Sequence, residues 1–213
     1  MARQMFLHFV ALAATVLSTS SLFAQASPRG QTALEVDLGD ELADIKVEYG
    51  RPYIKHPATG QVRKIWGSLV PYGAVWRLGA NEATVFTTPI EIELGGTKIP
   101  KGSYTLFMIP KEKGASQLIV NKVLGQFGAY NYNPDDDLAK IDLKKSDLKK
   151  IVDQLTIALD KVEPEEDPEV TEEKEGEKGE GKKDDRQHYE LKIQWEKTQF
   201  SVPFSFAIET EEE

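Results

Sequence analysis

The chain has 213 residues, with 35 acidic against 26 basic side chains and no cysteine. The missing cysteine excludes disulfides, thiolate metal sites, cysteine nucleophiles and a lipid-anchoring cysteine. The acidic balance argues against nucleic acid and anionic membrane surfaces as partners.

Residues 1–26 carry the three parts of a cleavable export signal. Arg3 precedes an apolar stretch from Phe6 to Leu17, small residues follow, and Ala24-Gln25-Ala26 supplies the Ala-x-Ala cleavage pattern. About twelve apolar residues make roughly 18 Å of helix, too short for a hydrocarbon core of about 30 Å. Cleavage after Ala26 leaves 187 residues of net charge −10, because the formal −9 includes Arg3. No later stretch approaches spanning length, so a soluble domain over 27–213 is expected, without stable membrane insertion.

From residue 33 onward the dominant apolar period is two, that of a half-buried strand. Leu34, Val36 and Leu38, then Ile45, Val47 and Tyr49, flank Gly39-Asp40 and predict a hairpin over 33–49. Ile90, Ile92 and Leu94 precede a turn at Gly95-Gly96-Thr97-Lys98. Residues 103–109 are apolar on both faces, as in a central strand, and short strands are expected at 118–120 and 155–159. Residues 144–152 look helical, with Ser146 as N-cap and Leu148, Ile151 and Val152 at helical spacing. Tyr189 to Trp195 and Phe200 to Ile208 alternate cleanly on either side of Glu196-Lys197-Thr198, which predicts a second hairpin. Pro203 within it suggests an edge strand or a bulge.

Residues 163–186 hold twelve acidic and five basic side chains, a net −7, and no aromatic residue. Such a stretch buries too little apolar surface to offset its ordering entropy, so it is expected as a disordered acidic loop inserted between two strands. About eight short strands with turn signals between them indicate a single all-β sandwich, antiparallel and jelly-roll or Greek-key-like.

Between Tyr49 and Thr88 the strand pattern breaks into a long loop region rich in glycine, proline and aromatics. Trp66, Tyr72 and Trp76 supply large apolar surface beside Arg77, Asn81 and Glu82. A charge beside so much burial needs a partner. Arg77 with Glu82 is the expected pair, and Arg51 is a further member.

Arg51-Pro52, the stretch Val62 to Gly67, the run Val70 to Thr84 (Val-Pro-Tyr-Gly-Ala-Val-Trp-Arg-Leu-Gly-Ala-Asn-Glu-Ala-Thr) and the strand Pro100 to Pro110 carry a resemblance. The chain resembles the bacterial exported proteins classed as domain of unknown function 2911. The likeness extends through Asn121 and Tyr130 to the terminal Trp195 strand and leaves out the acidic loop. It implies an exported bacterial protein, periplasmic or extracellular, but no activity. An asparagine synthetase label carried by some members is disfavoured here, since the chain lacks both the cysteine nucleophile and a Ser-Gly-Gly-x-Asp-Ser pyrophosphate loop.

Other catalytic templates are no better supplied. Beyond His8, only His56 and His188 are present, with no Gly-x-Ser-x-Gly elbow and too few ligands for a histidine-based zinc site. Asn131, Asn133, Asp135, Asp137 and Asp142 fall at EF-hand-like offsets. Pro134, the Asp136 in the glycine position and the final Asp make a turn with solvated acids the expected reading. No metal and no cofactor is expected.

The leading expectation is a non-enzymatic binding module for a small polar ligand (a sugar or carboxylate) or a protein partner, lined by Trp66, Tyr72, Trp76, Arg77, Asn81 and Glu82. The alternatives are a hydrolase or lyase, in which the tryptophans desolvate Glu82 into a general acid or base and Arg77 stabilises charge, and a purely structural or interaction module.

Overall fold

The computed structural model describes residues 27–38, 41–163 and 186–207. The expected export signal and nearly all of the acidic stretch lie outside these residues. The architecture is all-β, and the only helical turn among the described residues is a 3-10 turn at Pro134–Asp136.

Among the described residues nine strands form one antiparallel sheet, not closed into a barrel, in the order β1-β2-β3-β6-β7-β8-β9-β4-β5. The expected first hairpin is β1 (Arg29–Asp37) with β2 (Leu42–Gly50), in register from Arg29↔Gly50 to Asp37↔Leu42. Next come β3 (Thr84–Thr88), β4 (Ile92–Leu94), β5 (Thr97–Ile99), β6 (Gly102–Ile109) and β7 (Ser116–Asn121). Two long strands, β8 (Asp137–Lys161) and β9 (Gln187–Phe206), complete the sheet. The β4–β5 hairpin turns through Gly95 and Gly96, at φ 54° and 78°. Two successive positive φ values define the primed turn whose twist matches a two-residue hairpin. This hairpin leaves the β3–β6 neighbourhood and joins β9 through Glu93↔Ser205 and Leu94↔Phe204.

One core cluster draws on both ends of the sheet: Ile45 and Val47 of β2, Leu106 and Met108 of β6, and Leu191, Ile193 and Phe204 of β9. The Tyr49 hydroxyl spans this core. It accepts from Ile157 N at 2.9 Å and donates to Ile157 O at 3.3 Å. The strand β6 is buried on both faces, as its sequence predicts, because Phe107 points the other way into a second cluster with Ile119 and Ala83.

Two expected elements are corrected. Residues 144–152 are not helical but form part of β8. There the pairing jumps from Asp147↔Thr198 to Val152↔Glu196 and then to Thr156↔Gln194, so β8 carries surplus residues opposite β9. A bulge shifts the phase of apolar positions, and this shift reads as helical spacing in sequence. The second expected hairpin is instead one continuous strand, β9. Its break at Glu196-Lys197-Thr198 is a bulge with Glu196 at φ 58°. The bulge moves the buried row from odd positions (Tyr189 to Trp195) to even ones (Phe200 to Phe206) while keeping both rows in the core. Pro203 lies just beyond the last β8–β9 pair, Lys144↔Ser201, so its missing N–H interrupts no ladder, and its carbonyl accepts from Gly95 N. The β8 and β9 strands close on each other up to Val162 N→His188 O, placing the acidic stretch between paired strands.

Candidate functional site

The 33 residues between β2 and β3 are held by backbone contacts rather than by a ladder of their own. Pro52 to Ile54 lie along the bulged part of β8, with Ile54 N bonded to Asp153 O and Leu155 N to Pro52 O. Trp76 pairs with Met108 of β6 through both backbone bonds, each 2.8 Å. Alternation then sends Trp76 into the main core, while Val75 packs in the second cluster on the other face.

The six sequence-predicted residues therefore do not line one cleft. Trp66 and Trp76, 7% and 8% exposed, are core residues. With Trp195 they form an aromatic nest: Trp66 meets Trp76 edge-on at 5.9 Å and Phe200 at 5.1 Å, and Trp76 stacks on Trp195 at 6.0 Å. The Trp76 indole N–H donates to Gly79 O at 3.1 Å. Tyr72 is half-buried against the same core.

Arg77, Asn81 and Glu82 belong to a separate surface. Their loop is over-determined. Leu78 and Asn81 sit at φ 53° and 63°, a costly region for side chains other than glycine. Thr84 fixes the turn, its N–H donating to Arg77 O at 3.1 Å and its hydroxyl to Leu78 O at 2.9 Å. Gly50 backs the loop so closely that a Cβ there would fall 2.0 Å from Ala80 O. Residues 81–83 then run beside 126–128, with Ala83 N bonded to Gln126 O and Gly128 N to Asn81 O, both at 2.9 Å, and Glu82 bridged to Phe127.

The expected Arg77–Glu82 pair is absent. Glu82, with its side chain 60% exposed, stands 3.6 Å from Arg29 and is not desolvated by the indoles. Arg51 is engaged elsewhere, donating to Leu155 O and Thr156 Oγ1 of β8, both at 3.1 Å. Arg77 is half-buried, and its Nε is shut off from solvent without a hydrogen-bond partner. Burial lowers the guanidinium from its usual value, while the nearby Tyr130 hydroxyl works in the opposite direction. Among the described residues no carboxylate forms an ion pair with it. Tyr130, 85% exposed, and Phe127, also exposed, stand on the adjoining loop. Their signal in sequence is faint, since 122–130 has neither period.

That loop is anchored from below by Asp137. Its nearly buried carboxylate accepts the Tyr132 hydroxyl at 2.6 Å and Asn121 Nδ2 at 2.9 Å, and pairs with Lys140 at 3.2 Å. Burial first, then the hydrogen bond and charge of Asp137, push the Tyr132 phenol up. The EF-hand-like offsets are absorbed in this way: Asn133 caps the 3-10 turn, and Asp142 lies in β8 bonded to Gln117 at 3.3 Å. Among the described residues no three His, Cys, Asp or Glu side chains are placed to hold a metal ion.

A family model described as a protein of unknown function, DUF2911, matches residues 27–173. The chain belongs to this family. The DUF2911 match takes in the whole block from Tyr49 to Thr88, and with it the Arg77 loop. It ends inside the acidic stretch and so stops short of the Trp195 strand, to which the sequence likeness was expected to extend. No curated protein and no solved structure matches the chain.

Proposed function

We propose that the chain is an exported bacterial binding module, periplasmic or extracellular, that takes a small carboxylate-bearing ligand on Arg77. A sugar acid suits the surface best. The observation that carries this reading is a half-buried guanidinium without an acid partner among the described residues, set beside exposed Tyr130 and Phe127. Arginine's planar fork matches a carboxylate bidentately, and aromatic faces suit the apolar side of a sugar ring. Asn81 and Glu82 supply polar groups at the rim. Export rests on the signal pattern of residues 1–26, and a family match beginning at residue 27 supports it.

The hydrolase or lyase reading is the weaker one, because Glu82 is exposed and paired to Arg29. Thermal-shift titration with glucuronate, galacturonate and acetate tests the proposal. Stabilisation by a uronate that is lost in Arg77→Gln supports it. Equal stabilisation of both proteins rejects Arg77 as the site.

A further inference from the structure

The chain's net charge hides an opposite polarity over two joined segments. The described residues hold 21 cations against 19 acids, a net +2, so the negative balance lies outside them. Within them the cations are unevenly spread. The excursion 53–64 carries Lys55, Arg63 and Lys64 and no acid, and β8 from 144 to 153 carries four lysines against Asp147 and Asp153. The two segments are physically joined: Tyr53 is bridged to Gln154, and Ile54 N is bonded to Asp153 O. Together they border an open depression of about 440 Å³, lined in part by Tyr53, Lys55, His56 and Asp153.

Lys144, Lys145, Lys149 and Lys150 are all exposed, and none forms an ion pair among the described residues. Between the last two and Asp153, where β8 bulges away from β9, Ile151 is 54% exposed, and Tyr53 and Val62 are exposed on the neighbouring excursion. Bare lysines alone suit any polyanion. Lysines interleaved with an exposed isoleucine, valine and tyrosine suit a surface that is anionic outside and apolar just beneath.

We propose that these joined segments, centred on Lys149, Lys150 and Ile151, dock peripherally on an anionic lipid surface. Charge complementarity supplies the attraction, and the apolar side chains enter the headgroup boundary. This docking is separate from the Arg77 site.

The test is co-sedimentation of the processed, exported chain with phosphatidylcholine vesicles with and without phosphatidylglycerol. Binding is expected only with phosphatidylglycerol, falling as salt rises. It should weaken about tenfold or more in Lys149→Glu/Lys150→Glu, weaken measurably in Ile151→Ser, and be unchanged in Arg77→Gln. Circular dichroism confirms that each variant is folded. No binding, or binding indifferent to lipid charge, overturns the proposal. So does binding that Ile151→Ser leaves intact and soluble dextran sulfate matches, since that outcome identifies a polyanion site instead.

Discussion

Arg29 Nη1 stands 3.6 Å from Glu82 Oε2, and both side chains are open to water. That contact joins the first strand to the Arg77 loop, yet exposed ion pairs contribute only about 0–1 kcal/mol. Glu82→Gln should therefore change unfolding free energy by less than about 1 kcal/mol in urea denaturation. A loss of several kcal/mol would show that Glu82 braces the core after all.

Tyr49 has the opposite character. Its hydroxyl satisfies both backbone groups of Ile157 inside the core. Tyr49→Phe should lower stability by about 1–3 kcal/mol, because the buried Ile157 N–H loses its partner, while Ile157 O keeps the Thr32 hydroxyl. Equilibrium urea unfolding measures this directly, and a neutral result would mean that water replaces the hydroxyl.

Close backbone approach makes Gly50 the keystone of the Arg77 loop. A Cβ at 2.0 Å from Ala80 O forces main chain apart, so Gly50→Ala should cost about 3 kcal/mol or more. Gly60, at φ 70° with no atom within 4 Å of where a methyl would stand, is the control. Gly60→Ala should cost about 1 kcal/mol, from its backbone conformation alone.

Much of this could be read from the residues. Alternation located both strands of the β1–β2 pair, the β4–β5 turn and the doubly buried β6. Within β8 and β9 it located 155–159, 189–195 and the strand from Phe200, but it failed at the bulges, which break the period that identifies a strand, so Leu148, Ile151 and Val152 resemble a helix face, and Glu196 to Thr198 resembles a turn. The site was half legible. Aromatics and charges adjacent in sequence suggested one cleft, but Trp76 and Arg77 are neighbours on a chain whose side chains alternate between faces. The core took the indole and the surface took the guanidinium. Phe127 and Tyr130 come from a loop brought alongside only by pairing with residues 81–83, which sequence spacing does not encode.

The Tyr132–Asp137 contact sets an alkaline limit. The Tyr132 phenol is held up in the folded protein, chiefly by burial. The folded state therefore keeps a proton that the unfolded chain releases at about pH 10. Stability from this group is complete below that pH and falls as pH rises above it. Burial also raises Tyr104 and Tyr189. Urea midpoints measured from pH 8 to pH 11, roughly spanning the tyrosine range, should decline, and Tyr132→Phe should make the decline shallower. An unchanged slope would remove Tyr132 from this role.

The most direct measurement of the binding proposal is a ¹H–¹⁵N titration of the chain from residue 27 onward with glucuronate, following backbone amides and the Arg77 Nε–H together. The expected result is saturable shifts confined to residues 77–83 and 122–130, with Arg77 Nε–H moving most and the response absent in Arg77→Gln. Saturable shifts centred elsewhere with Arg77 Nε–H unmoved, or no shifts at all with glucuronate, galacturonate and acetate, would contradict a carboxylate site on Arg77.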